Sequence, residues 1–226
     1  MKEFPAIIAA LPREVKGLVR GWREHRLPGK IFVYTKDSAI VACAGMGASR
    51  ATLAVQAAMQ AGPVTALLSV GLAGACDPEL QVGDIVRAGV VVDTQSGERY
   101  SNSQFEQVLV SAPTITSVRE KQRLRESYGA SAVDMEAAAV ARIAQAHGLQ
   151  FEAIKVISDG ATFELQELAR FATSDGQFRE AAFATYAAVR PYLWAKLFHL
   201  AGNSKRAVEL LTSELESRLN WYRERY

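Results

Sequence analysis

Ala132 to Asp159 reads A-V-D-M-E-A-A-A-V-A-R-I-A-Q-A-H-G-L-Q-F-E-A-I-K-V-I-S-D, a helix followed by a buried strand, with carboxylates at the entrance of the first and the exit of the second. From Glu136 the run A-A-A-V-A-R-I-A is rich in helix formers, and Gly148 ends the periodic part as a C-cap glycine does, so a helix is expected from near Asp134 to near His147. Phe151 to Ile157 is mostly apolar and β-branched, the pattern of a strand covered on both faces of a parallel sheet. Ser158, Asp159 and Gly160 then fall at its carboxyl end, where open α/β sheets bind ligands. Asp134, Met135 and Glu136 at the helix mouth can hold a sugar while Asp159 protonates a leaving group, which points to glycosidic chemistry on a nucleoside. Spacing alone leaves a second reading of Asp159 open, as the N-cap of a following helix.

Working outward, S-V-G-L-A-G-A-C-D-P-E-L-Q-V-G-D-I-V from Ser69 to Val86 follows a strand expected at Thr65 to Val70. Gly71 and Gly74 can take positive φ and let a ligand approach the backbone. Asp77-Pro78 and Gly83-Asp84 mark turns around a short irregular loop.

Taken together and in this order, these segments resemble the purine nucleoside phosphorylase and nucleosidase superfamily over about Ala6 to Ala161. The carriers are L-P-R-E-V (Leu11 to Val15), A-G-M-G (Ala44 to Gly47), G-L-A-G (Gly71 to Gly74), V-G-D-I-V (Val82 to Val86), V-D-M-E (Val133 to Glu136) and I-S-D (Ile157 to Asp159). The chain looks most like the methylthioadenosine/S-adenosylhomocysteine nucleosidases. In S-V-G-L-A-G-A-C-D-P-E-L, A-V-D-M-E and the basic tail after Leu197 it also resembles the hopanoid-associated (adenosylhopane) phosphorylases. Both branches imply cleavage of the N-ribosidic bond of a 5′-modified adenosine on a three-layer α/β/α fold with a mixed twisted sheet.

The resemblance implies a role for each matched residue. Asp159 matches the acid beside purine N7, and it must arrive protonated or share a proton, which burial among apolar residues favours. Glu136 matches the carboxylate that accepts the ribose hydroxyls, and Met135 the side chain lying against the sugar. Asp134, Ala73, Gly74, Met46, Gly47 and Ser158 fall on the same substrate-contacting segments. Glu14 matches the carboxylate that activates water in hydrolytic members, although a helix opening with Pro12, Arg13 and Glu14 is good N-terminal helix chemistry by itself.

The amides of Gly45, Met46 and Gly47 precede a helix and suit either a ribose hydroxyl or a phosphate co-substrate. Arg50 reads as a solvated charge, and Glu14 would repel phosphate, so water is the expected nucleophile and phosphorolysis the alternative. The chain departs from the nucleosidase pattern at Leu72, where a serine is expected, and in S-A-P-T-I-T (Ser111 to Thr116), where Ile115 stands in place of an aromatic that would stack on adenine. Ser111 and Ile115 are the candidate base contacts. A nucleoside-binding protein without catalysis is the rival from another class, and retention of Glu14, Glu136 and Asp159 together argues against it.

Composition bounds the remainder. With 226 residues, 49% of them hydrophobic, the chain is expected to form a single domain over 1–226 with a helical tail from about 187. A formal net charge of +2 gives no argument for nucleic acid. The N-terminus runs directly into the charged segment of Arg13, Glu14 and Lys16, unlike a signal peptide, and no segment is apolar enough to span a bilayer, so a cytoplasmic protein is expected. Cys43 and Cys76 read as free buried cysteines; His25, His147 and His199 show no metal spacing, and neither a metal nor another cofactor is expected.

Strands are expected at Ala6 to Ala10, Ile31 to Thr35, Ala39 to Ala44, Thr65 to Val70, Ile85 to Asp93, Gln107 to Val110 and Phe151 to Ile157, with a hairpin at Asp37-Ser38. Helices are expected at Arg13 to Glu24, Ser49 to Ala61, Ser117 to Ser127 and Glu136 to His147, with two more near the C-terminus, the last capped by Asn203 or Ser204. The tail reads as a helical pair packed on the domain or on another subunit of a homo-oligomer. Its segment P-Y-L-W-A-K-L-F-H-L, with Trp194, Lys196 and Phe198, also suits peripheral membrane contact.

Overall fold

The computed structural model describes residues 5–37, 39–102, 104–164 and 194–225. Ten strands among them join one mixed sheet: β1 (Pro5–Ala9), β2 (Arg23–Leu27), β3 (Ile31–Lys36), β4 (Ala39–Cys43), β5 (Ala66–Ala75), β6 (Ile85–Asp93), β7 (Arg99–Ser101), β8 (Gln107–Ser111), β9 (Ala132–Asp134) and β10 (Gln150–Asp159). The order is β10-β6-β8-β9-β5-β1-β4-β3-β2, and β10 also pairs with β5, so five strands close into a ring from which β1, β4, β3 and β2 extend. Helices α1 (Pro12–Val15), α2 (Ala48–Ala61), α3 (Val118–Tyr128), α4 (Ala137–Ala146) and α5 (Trp194–Arg225) cover it.

Alternation along β1 sets the two faces. Ala6 and Ile8 pack with Ala54, Val55 and Ala58 of α2 and Val140 and Ala144 of α4. Ile7 and Ala9 pack with Val15 and with the α5 stripe Ala207, Leu211, Leu215, Leu219 and Tyr222. This is the expected helix–sheet–helix layering of a mixed sheet. The alanine-rich faces of α2 and α4 bring those helices close to the strands.

The central strand β5 pairs in parallel with β1 and β10, Ile7 opposite Leu68 and Ile154 opposite Val70. Its carboxyl end meets β9, with Gly74 opposite Val133. The carboxyl ends of β1, β5 and β10 therefore lie together, beside the loop that follows β4 and the β9–α4 junction.

Several expectations are corrected. The helix expected over Arg13 to Glu24 stops at Val15; turns occupy the residues after it, Gly21 takes φ +77°, and Glu24 lies in β2. At Gly17 a Cβ would come within 2.9 Å of the Thr212 side chain of α5, so this bend packs against the tail. β5 does not end before the glycines: it continues through Gly71 and Gly74 to Ala75. Asp134 ends a short strand instead of opening the helix, which begins at Ala137. The tail is one continuous helix through Asn203 and Ser204, not a second helix capped there. Ala207, Leu211, Leu215, Leu219 and Tyr222 of this helix pack on the sheet; residues 165–193 and the side chains of Trp194, Lys196 and Phe198, which carry the membrane reading, lie outside the described residues. The hairpin holds, with Lys36 opposite Ala39 and Asp37 at φ +50°. No helix among the described residues is long and apolar enough to cross a membrane.

Candidate active site

Glu14 is held by the helix start that its sequence announces. Its Oε2 accepts from the amides of Ala10 at 3.1 Å and Leu11 at 3.2 Å, where β1 turns into α1. The side chain is 6% exposed, and burial raises its pKa against the opposing pull of those amides and of the Lys155 and Arg13 charges. A Cβ on Gly71 would stand 3.1 Å from the same Oε2, and Gly71 takes φ +136°, so a glycine is required for β5 to pass against this carboxylate.

Glu136 meets the A-G-M-G loop. Oε1 accepts from the Gly47 amide at 2.7 Å and Oε2 from the Met135 amide at 3.2 Å. Burial, then the neighbouring Asp134 charge, push its pKa up to about 7, with Glu14 contributing in the same direction. Met135 approaches the loop as well: a Cβ on Gly47 would lie 3.9 Å from its methyl group. The expectation that the loop amides stand free for a ligand is corrected in part, since Gly47 N–H is given to Glu136 and Gly45 N–H to the Ala10 carbonyl at 2.9 Å. Met46 is half-buried between them.

Lys155 and Asp134 underlie this pair. The Lys155 ammonium, 1% exposed, lies 2.9 Å from Asp134 Oδ2 and donates to the Val70 carbonyl at 3.2 Å. Asp134 also accepts from Ser111 Oγ at 2.6 Å and from the Ala137 amide at 2.9 Å, and Ser111 Oγ in turn accepts from the Ala138 amide at 2.9 Å. Asp134 and Ser111 therefore hold Lys155 and the start of α4. Sequence reading missed Lys155. The signal was available: a lysine inside the apolar run of a strand covered on both faces must find a buried counter-charge.

Asp159 sits in a neighbouring cluster. Its Oδ2 lies 2.5 Å from Lys121 Nζ and its Oδ1 accepts from Ser158 Oγ at 2.7 Å, with Lys121 and Asp159 1% and 3% exposed. The partners are side chains, not amides of a following helix, so the N-cap reading of Asp159 fails. Lys121 reaches the strand from α3 and also donates to the carbonyls of Gly160 at 2.9 Å and Phe163 at 3.4 Å.

The β10–β5 register skips Ser158 between the Ile157–Ala73 and Asp159–Gly74 pairs, and this bulge re-aims Asp159. At Gly74 a Cβ would fall 2.9 Å from Asp159 Oδ2 and 3.0 Å from Lys121 Cε. Ala73 is buried and its carbonyl lies 3.3 Å from Ser158 Oγ. Lys121 was invisible in a helix that reads V-R-E-K-Q-R-L-R-E-S-Y; its only mark is the i, i+3 pairing with Leu124, the other buried residue of α3.

Glu14, Glu136, Asp134 and Lys155 thus form one group, and Asp159, Lys121 and Ser158 another. They are joined by β5, whose Gly71 faces Glu14 and whose Gly74 faces Asp159, a spacing of about 10 Å at roughly 3.3 Å per residue. Ile115 is half-buried in the loop between β8 and α3. Cys76 lies near the second group, its thiol pushed up to about 12 by burial, which keeps it protonated. Cys43 is likewise buried and raised, and both cysteines are free. Among the described residues no group of His, Cys, Asp and Glu is arranged to hold a metal ion. A cleft of ≈ 600 Å³ lies at the other end of β10, lined by Arg99, Tyr100, Gln145, Phe151 and Trp221, and none of the candidate acids lines it.

A phosphorylase superfamily family model matches residues 5–115 and 106–193, and the chain belongs to that superfamily. Comparison with curated proteins gives no match. Among solved structures, the futalosine hydrolase of Helicobacter pylori strain 26695 is 20% identical with a TM-score of 0.72, covering 97% of this chain and 98% of that one. A mutant of the H. pylori 5′-methylthioadenosine/S-adenosylhomocysteine nucleosidase with 5′-methylthioadenosine in its active site is 18% identical, TM-score 0.73, covering 97% and 99%. The S-adenosylhomocysteine nucleosidase of Streptococcus pyogenes, in complex with 5-methylthiotubericidin, is 20% identical, TM-score 0.67, covering 96% and 98%. At these identities the likeness is one of fold.

Proposed function

We propose that this protein hydrolyses the N-ribosidic bond of a 5′-modified adenosine, releasing adenine. The observation that carries the reading is the placement of two acidic groups on either side of one glycine-rich strand segment, Glu14 with Glu136 at Gly71 and Asp159 at Gly74. A nucleoside laid along that segment puts its ribose on Glu136 and Met135 and its base on Asp159. Glu136, with a pKa of about 7, is a carboxylate at mildly alkaline pH and accepts the ribose hydroxyls. Glu14, raised by burial, is a better proton acceptor than an exposed glutamate and takes a proton from the attacking water. Asp159 delivers a proton to the departing base, so the bond breaks without expelling a free adenine anion.

Water is favoured over phosphate because the Gly45 and Gly47 amides are already engaged and Glu14 Oε2 stands 3.1 Å from where a Cβ on Gly71 would be, a carboxylate that would repel an anion there. Methylthio, homocysteinyl and hopanoid substituents at C5′ are all compatible with this reading, the last with a peripheral membrane contact of the tail, and a cytoplasmic homo-oligomer is its natural setting. The test is to incubate the protein with 5′-methylthioadenosine, S-adenosylhomocysteine, adenosine and futalosine, with and without phosphate, and to resolve the products. Free base and free sugar without phosphate are expected. A sugar 1-phosphate formed only with phosphate would make the protein a phosphorylase, and binding without release would leave a nucleoside-binding protein.

A further inference from the structure

We infer that Lys121 holds the proton that the departing base takes up and passes it through Asp159. The inference rests on the proposed N-ribosidic chemistry and adds to it a residue that no matched motif contains.

Asp159 is poorly placed to act as an acid alone. An ammonium 2.5 Å from Oδ2 and a hydroxyl donating to Oδ1 supply a donor to each of its oxygens, so neither oxygen turns an O–H of its own toward a base. The nearest proton source in the structure is Lys121 itself, 1% exposed, reaching in from an otherwise polar helix. A buried ion pair is a poor device for stability alone, since apolar residues of similar volume commonly serve as well. The donor count fits a proton source. Three N–H groups of the ammonium face three acceptors, Asp159 Oδ2, Gly160 O and Phe163 O. After one proton leaves, the neutral amine keeps two N–H groups, and the two carbonyls still accept them.

The step balances. Lys121 Nζ gives one proton to Asp159 Oδ2, and as the C1′–N9 bond breaks and its electron pair passes to the purine, N7 takes that same proton from Asp159. Water bonds to C1′ and gives its proton to Glu14. Glu14 then releases that proton to solvent and Lys121 regains one. Lys121 is thus a positioning residue acting through Asp159.

The test compares leaving groups. Purine nucleosides need a proton on the base; 4-nitrophenyl β-D-riboside does not, because nitrophenolate leaves as an anion. Lys121→Met should lower kcat on the purine nucleoside by about a hundredfold, the usual worth of a general acid, with KM little changed and nitrophenyl riboside cleavage nearly intact. Lys121→Arg keeps the positive charge and the ion pair but does not give up a proton, so it should fail in the same selective way. Restored purine turnover in Lys121→Arg, or parallel loss of both substrates in a folded variant, would overturn the inference. Should neither variant fold, the wild-type protein decides: its solvent deuterium isotope effect on kcat should be larger with the purine than with the nitrophenyl riboside, and equal effects would overturn the inference. A wild-type protein that cleaves no purine nucleoside contradicts the underlying reading itself, and the inference falls with it.

Discussion

Glu136 carries a pH signature. Its folded-state pKa of about 7 stands above the ordinary 4.5 because burial and Asp134 disfavour the charge. Below pH 7 the folded protein therefore protonates it, and a protonated Glu136 is a poorer acceptor for the ribose hydroxyls that the proposed function assigns to it. Binding of 5′-methylthioadenosine, measured by calorimetry, should weaken by up to about tenfold per pH unit as pH falls below 7, while Glu136→Gln should bind weakly with no such slope. The sign for stability is opposite. A raised acid pKa stabilises the fold below pH 4.5 and that contribution is lost as pH rises through 7, so wild-type Tm should fall relative to Glu136→Gln between pH 5 and pH 8. A parallel pH course for the two proteins would remove Glu136 as the titrating group. Glu14→Gln should nearly abolish turnover and keep nucleoside binding; unchanged turnover would remove its role as the base. Gly71→Ala should also lose turnover, because the new Cβ meets Glu14 Oε2 at 3.1 Å and the residue must hold φ +136°.

Among the elements, α3 is the part on which the Asp159 group depends, because it supplies Lys121. Ser117 caps it by accepting from the Glu120 amide at 3.1 Å, one turn before Lys121. Ser117→Ala should cost about 1 kcal/mol, read as a lower denaturation midpoint. Leu215 is fully buried where α5 crosses the sheet, and Leu215→Ala should cost about 2–5 kcal/mol; a change under about 1 kcal/mol would mean that the tail is not docked in solution.

Elements with one clear period were legible in the sequence: α2, α4, β6 and β10 lie within a few residues of expectation because apolar content and cap glycines mark them. β2 was not, since R-E-H-R-L is exposed at every position, as a charged edge strand is, and carries no alternation. β7 and β9 are three residues long and are defined by their partners. The acids Glu14, Glu136 and Asp159 were legible because turns and strand ends present them. Lys121 and Lys155 were not, because a lysine in a sequence reads as solvent-facing until its counter-charge, thirty-eight residues away for Lys121 and twenty-one for Lys155, is placed beside it.

For the whole molecule, closure of the sheet is what brings distant segments to one place. β5 pairs with β10 on one side and β1 on the other while β9 crosses its carboxyl end, so acids from the start, middle and end of the described core gather along ten residues of one strand. The ring depends on close passage at β6, where a Cβ on Gly89 would lie 1.7 Å from the Phe105 carbonyl oxygen. Gly89→Ala should therefore give little soluble protein; normal yield and Tm would show that the β6–β8 side can shift. If the two acidic groups flanking Gly71 and Gly74 serve one ligand, as proposed, a crystal structure with a non-hydrolysable 5′-methylthioadenosine analogue will show it. The ribose hydroxyls should lie on Glu136 and the purine within hydrogen-bond distance of Asp159. A nucleoside bound at one group alone, with the other acid facing a separate region, would contradict it.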